Sequence, residues 1–185
     1  MDSLRNHFLV SMPHLADSFF EKALIYICDH DSQGSMGLVV NRPMPSAKAA
    51  AIIQALGLVG KKEKDGINDI YFGGPVQPNV GFILHTPDYL TDGTISISSD
   101  ISLTTNSEIM EDIQTGKGPE KYRFTMGYAG WGSEQLEREI SNGDWLVVPA
   151  SQDFIFDKAD RVKWTEAARQ FGIEISMFSG FGGEA

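Results

Sequence analysis

The sequence predicts an α+β fold: strands joined as hairpins, interspersed with short amphipathic helices. Three observations carry this. First, Ala23 to Cys28 is apolar without alternation, and so is Met36 to Val40, with only the turn-rich Asp29-His30-Asp31-Ser32-Gln33-Gly34-Ser35 between them. Two adjacent strands apolar on both faces form a hairpin at the centre of a sheet. Both of its faces must then be covered, by helices or by a strongly curved sheet. Second, several helical segments end at glycine, the residue that best accepts the left-handed backbone of a helix stop. Third, strands and helices are mixed without a boundary, repeat or linker between them. At 185 residues the chain is predicted to be a single domain, 1–185, with a core large enough to need no staples.

The elements follow in order. His7 to Ser11 reads as an opening strand stopped by Met12-Pro13, because proline donates nothing to a ladder. Asp17 to Glu21 reads as a short helical turn capped by Asp17 or Ser18. After the central hairpin, Ser46 is placed to cap a helix carrying Ala49, Ile52, Ile53 and Leu56, with Gly57 as its stop. The charged stretch Val59 to Asn68, including Lys61-Lys62-Glu63-Lys64, reads as a solvated loop, and strand pattern resumes at Asp69 to Phe72. Gly73-Gly74-Pro75-Val76 turns the chain into a strand from Val80 to Leu84. Thr94 to Ser98 alternates, as a strand near a sheet edge does.

Thr105-Asn106-Ser107-Glu108 has the pattern of a capping box before Ile109, Met110 and Ile113, and Gly116 ends that helix. A strand from Tyr122 to Met126 runs into Gly127-Tyr128-Ala129-Gly130-Trp131-Gly132. Three glycines in six residues predict a sharp, tightly packed turn there, opening a helix through Leu136 and Ile140. Asn142-Gly143 stops that helix. Trp145 to Val148 reads as a buried strand, and Asp160 to Phe171 as a helix with Trp164, Ala167, Ala168 and Phe171 on one side. The tail from Ser179 is glycine-rich.

Charge and cysteine content limit the functional classes. Net charge is −10, so phosphate backbones repel the chain on average and strong direct nucleic-acid binding is not expected. Cys28 is the single cysteine, which excludes an internal disulfide. Phe8-Leu9-Val10 is too short for a signal-peptide core, and no apolar run reaches the ~20 residues of a membrane helix. A cytoplasmic protein without membrane association is the expectation.

Nucleophile elbows, phosphate loops, zinc helices and paired cysteines are missing from the sequence. Cys28 and His30 are two apart in a strand, which in a regular strand places thiol and imidazole on one face. Such a pair could form an activated nucleophile; alternatively, Cys28 is a small core residue and His30 opens a polar loop. Asp29, His30 and Asp31 are adjacent and point apart, so no metal site is expected. Asn41-Arg42 ends the central strand at Pro43 and could present an amide and a guanidinium to an anion, or satisfy local partners. Gly73-Gly74 could expose backbone N–H groups, although tight-turn geometry explains the pair as well. His85 ends a strand, where a ligand or a hydrogen-bonded core histidine would both fit. Glu137 stands near a helix N-terminus, which stabilises a carboxylate without requiring a function.

Taken in order, Gly37-Leu38-Val39-Val40-Asn41-Arg42-Pro43, Gly73-Gly74-Pro75-Val76 and Gly127-Tyr128-Ala129-Gly130-Trp131-Gly132 followed by Gln135-Leu136-Glu137 resemble the YqgE/AlgH family. Phe20-Glu21-Lys22-Ala23, Tyr26-Ile27-Cys28-Asp29-His30 and Gly34 fit as well, and the resemblance runs from about Leu9 to the last helix. Glu134 departs from it, standing where the family often carries glycine. The resemblance implies a bacterial α+β domain whose largely antiparallel sheet curls into a partial barrel with helices outside. It also implies the label of transcriptional regulator, but no catalytic residues and no cofactor.

Two functions are therefore compared. In one, the chain is a regulatory or binding module, with Asn41, Arg42, Gly73, Gly74 and Trp131 lining a concavity for a small anionic ligand or a protein partner. In the other, it is a small hydrolase-type enzyme using Cys28, His30 or Glu137.

Overall fold

The computed structural model describes residues 3–15, 18–58, 67 and 69–180, the side chains of 176, 179 and 180 excepted. Asp17, the Lys61-Lys62-Glu63-Lys64 loop and the tail beyond 180 lie outside the described residues.

Among the described residues nine strands form one sheet: β1 (His7–Ser11), β2 (Leu24–Asp31), β3 (Gly34–Val39), β4 (Tyr71–Phe72), β5 (Val76–His85), β6 (Ile95–Ser96), β7 (Ser102–Thr104), β8 (Tyr122–Gly132) and β9 (Trp145–Pro149). Their order is β6-β7-β5-β8-β3-β2-β1-β9, with β4 added beside β8. Every pairing is antiparallel except β4 with β8. The α-helices among the described residues are α1 (Ser46–Ala55), α2 (Glu108–Gln114), α3 (Gln135–Ser141), α4 (Gln152–Phe156) and α5 (Asp160–Arg169).

The doubly apolar hairpin is β2–β3, and it lies inside the sheet with cover on both faces. Leu24, Tyr26, Cys28, Leu38 and Val40 share a cluster with Phe154 and Ile155 of α4 and Trp164, Ala167 and Ala168 of α5. Residues of β7 and of β1 join that same cluster, although four strands lie between them in the sheet order. Only a curled sheet brings them together, as a half-barrel whose concave side α4 and α5 close. Ile25, Ile27 and Val39 face the other way, toward Trp131, Trp145, Phe20 and Leu136 of α3. A third cluster places α1 and α2 over Ile70, Ile83 and Phe124.

Several local readings change once the chain is folded. Trp145 to Val148 is a half-buried edge strand, and Pro149 sits at its end. Met12 donates to Asp144 O and Ala150 to Asn6 O, so the odd residues of β9 face its free side, where the missing proline N–H leaves no ladder bond unmade. The capping box before α2 does not form; Asn106 Oδ1 accepts the Glu108 N–H at 3.0 Å instead. Ser46 is the first helical residue of α1, and Pro45 occupies the capping position without a side-chain bond.

The largest change concerns the glycine-rich stretch at 127–132, which is strand rather than turn. β8 continues through it, and of its three glycines only Gly127 has positive φ, at 73°. Glycine is needed there for backbone approach. β4 and β5 pair with the same β8 residues, Thr125 and Met126, from opposite sides, so Gly73-Gly74-Pro75 must cross over β8. A Cβ on Gly74 would lie 2.0 Å from Tyr128 C, and one on Gly127 would lie 2.2 Å from Gly74 O. Two of the three sequence motifs are therefore the two halves of one backbone crossing.

Candidate functional site

The site begins with an irregularity in β2. Ile27 pairs with Gly37 but Asp29 with Met36, so Cys28 is an extra residue, a β-bulge. The bulge reverses the alternation of side chains along the strand. Cys28 stays with the concave core, whereas His30 turns to the convex side and meets α3. Thiol and imidazole are thus placed on opposite faces. Cys28 is 3% exposed, its thiol donates to Tyr26 O at 3.7 Å, and burial pushes its pKa up, away from thiolate chemistry.

His30 and Glu137 are brought together. The imidazole side chain is 6% exposed, and its Nε2 lies 2.9 Å from Glu137 Oε1. Leu4 N–H donates to Nδ1 at 3.0 Å. Since Nδ1 accepts, the ring proton is on Nε2 and is donated to Glu137. The Glu137 carboxyl is held below its usual range by its own backbone N–H first and by His30 second. Ser3 Oγ donates to His30 O, and Ser133 Oγ to Ser32 O, fixing the chain on either side of the hairpin tip.

This dyad stands in the wall of a cleft of about 780 Å³ between the β2–β3 tip and α3. Asp31, Glu134, Arg138 and Asn142 also face it. Arg138 and Glu134 are exposed, and neither side chain has a partner among the described residues. Glu134 holds a left-handed backbone, φ 58° and ψ 5°, at the start of α3. Among the described residues no group of three His, Cys, Asp or Glu side chains could hold a metal ion.

The other sequence-selected residues lie elsewhere. Asn41 and Arg42 bind the segment before β2: Asn41 Oδ1 accepts Leu24 N–H and its Nδ2 donates to Lys22 O, both at 2.9 Å. Arg42 donates to Phe19 O and Glu21 O and stacks over the Phe19 ring, 5.0 Å from its centroid. Burial lowers the Arg42 pKa, with Glu21 opposing that shift. Trp131 reaches the same segment from the other side: it stacks on Phe20 at 6.4 Å, is 6% exposed, and donates to Glu139 Oε2. Phe19 and Phe20 thus stand between Arg42 and Trp131, while Gly73 and Gly74 are closed against β8.

His85 is 0% exposed. Its Nδ1–H donates to Thr86 O, and its Nε2 accepts from Thr104, whose hydroxyl meets Thr94 Oγ1. Burial lowers its pKa.

Sequence reasoning did not single out Arg138, for which no motif or spacing gave a signal. It also missed Lys163, buried in an otherwise amphipathic helix. Lys163 is 0% exposed and donates to Val40 O and Ile155 O beside Asp160.

Residues 8–176 match the model of the AlgH-like family. The chain belongs to the AlgH-like family. It is 42% identical over 178 residues to a UPF0301 protein of Marinomonas sp. (strain MWYL1), covering 96% of this chain and 94% of that one. A UPF0301 protein of Saccharophagus degradans is 43% identical over 183 residues, covering 99% and 89%. Among solved structures, the AlgH protein from Pseudomonas aeruginosa superposes with a TM-score of 0.79 at 35% identity, covering 100% of this chain and 97% of that one. Protein DIP2367 from Corynebacterium diphtheriae shares the fold, with a TM-score of 0.74 at 21% identity, covering 98% and 93%. No helix among the described residues is long and apolar enough to cross a membrane.

Proposed function

We propose that this AlgH-like chain is a binding module whose ligand is a small polar molecule carrying both charges, of the amino-acid class, held in the cleft between the β2–β3 tip and α3. The unpartnered pair Arg138 and Glu134, facing one cleft beside the fixed His30–Glu137 dyad, carries this reading. Arg138 offers a planar fork to a carboxylate, and Glu134 and Asp31 offer acceptors to an amine. The three carboxylates of the cleft outnumber its single guanidinium, which disfavours a purely anionic ligand. Any part in transcription is then indirect, since the chain is acidic and the cleft is no surface for phosphates.

The hydrolase reading retains one observation, the contact between His30 and Glu137. Against it, both imidazole nitrogens are engaged, so His30 has no lone pair free to activate a hydroxyl, and Cys28 lies on the other face.

A thermal-shift screen with amino acids and dipeptides tests the proposal, because binding to the native state raises apparent stability. A shift with the unmodified protein that disappears in Arg138→Ala and in Glu134→Gln is expected. A shift that survives both substitutions moves the ligand elsewhere. Rapid alkylation of Cys28 well below pH 8 would favour the enzyme instead.

A further inference from the structure

A second concavity opens on the opposite side of the hairpin tip and is built differently. It measures about 670 Å³ and spans β3, β8 and β5, with Met36, Phe82, Tyr128 and Val76 as apolar wall and Asp29 and Asp31 at its rim. Its distinguishing feature is bare backbone. Val76↔Tyr128 is the last pair between β5 and β8 before β5 gives way to the crossing segment, so among the described residues no strand pairs with β8 on that side from Ala129 to Gly132.

The register shows which groups are left. Val40 N–H donates to Leu24 O and Val39 N–H to Gly73 O, so the even residues of β3 face β2 and the odd ones face β8. Ser35↔Trp131 and Gly37↔Ala129 are then the hydrogen-bonded pairs, and Gly130 directs its N–H and C=O to the bare side. Gly130 is exposed, and neither group has a partner among the described residues. Gly132 N–H is taken by Gln135 Oε1 at 3.0 Å, which leaves its C=O. One donor and two acceptors are thus aligned along a strand edge whose glycines place no side chain in the way. A Cβ on Gly130 would lie 3.1 Å from the Tyr128 ring, on the cavity side.

We propose that this edge is a docking site for an extended peptide segment with alternating side chains, one aliphatic and one basic on the same face. The peptide adds as a strand beside Gly130, exchanging both backbone hydrogen bonds with it. Its aliphatic side chain enters the Met36–Phe82–Tyr128 wall. Its basic side chain, two residues along, meets Asp29 and Asp31. The Asp29 side chain is 66% exposed; its Oδ1 accepts His30 N–H and pairs with Arg5 at 4.0 Å, while the carboxylate still faces the rim. The surplus of acceptors over donors along the edge favours the same partner. Asp31 borders both this site and the cleft facing α3, whereas the Gly130 edge and its apolar wall belong to this site alone.

The test titrates the ¹⁵N-labelled full chain with synthetic hexapeptides alternating threonine with valine, leucine or lysine, in all orders. Binding with the largest amide shift at Gly130 is expected. N-methylation of the peptide residue facing Gly130 should weaken it about tenfold, as the loss of one hydrogen bond does. Asp29→Asn with Asp31→Asn should weaken it further and flatten its salt dependence, and both lie at the surface where folding is not at stake. The proposal is overturned if no peptide binds, if N-methylation at every position is tolerated, or if glutamate peptides bind as well as lysine ones. Concentration-dependent Gly130 shifts without peptide would also overturn it, by assigning the edge to a second copy of the chain.

Discussion

At the scale of single residues, the histidines show how burial and partners divide their roles. His30 is held by two bonds at a cleft wall, whereas His85 is enclosed in the core, with the Thr104 hydroxyl and the Thr86 carbonyl as its partners. His85 has a lowered pKa because burial disfavours its charged form. The unfolded chain binds a proton at His85 near pH 6.5, and the native chain only below that, so lowering the pH favours unfolding. Stability contributed by neutral His85 is therefore complete above about pH 6.5 and is lost as pH falls through the interval below it. Urea denaturation from pH 7 to pH 5 should show falling stability, with a shallower slope in His85→Gln. An equal slope in both proteins would assign the effect to other groups. Glu137 titrates in a lower window, since its pKa is depressed from 4.5, and does not confuse the measurement.

Among elements, α3 carries the clearest strain. It is a seven-residue helix entered through Glu134 in a left-handed conformation that glycine adopts without steric cost. A Cβ in that region costs about 1–2 kcal/mol, partly offset by the greater freedom that glycine gives the unfolded chain. Glu134→Gly should accordingly stabilise the protein, by up to about 1 kcal/mol, which for a domain of this size raises Tm by roughly 2–4 °C. Scanning calorimetry decides it, and a lowered Tm would mean that the glutamate side chain contributes a contact worth more than the backbone strain. The same substitution removes one charge from the cleft, so its effects on stability and on ligand binding are expected to run in opposite directions.

For the whole molecule, the half-barrel depends on α4 and α5 remaining in its concave side, and one buried cation ties them there. Lys163 of α5 bonds Val40 O at the end of β3 and Ile155 O in α4, and pairs with Asp160 at 2.8 Å. Asp160 accepts from Tyr71 of β4, and Arg123 of β8 lies over the Tyr71 ring while donating to Ile155 O. Burial lowers the Lys163 pKa, and Asp160 opposes that shift. Lys163→Met would leave Asp160 without its counter-charge and take the ammonium donor from Val40 O, while Ile155 O keeps Arg123, so a loss of about 3–5 kcal/mol is expected in urea denaturation. Adding Asp160→Asn should restore part of it. A single variant as stable as the parent would show that the ion pair recovers no more than its own desolvation cost.

What the sequence determined by itself is what short-range patterns encode. Apolar runs placed β1, β2 and β3, glycine stops placed the ends of α1, α2, α3 and α5, and the unrelieved apolarity of the hairpin required cover on both faces. Motif order sufficed for the family. α4 escaped because five residues are too few for a helical period to register. Other features depended on chain segments far apart in sequence. Gly127 lies more than fifty residues from Gly74, and nothing local distinguishes a glycine that turns from one that lets another backbone pass. The extra residue at Cys28 reverses every side chain after it, so face assignments in β2 needed its register with β3. Nothing local assigns to Arg42 or Lys163 the backbone carbonyls they bind, which only folding brings to them. Periodicity is a property of neighbours, whereas the identity of a hydrogen-bond partner or of a crossing strand is fixed only when distant backbone meets, and this protein's clefts are made of such meetings.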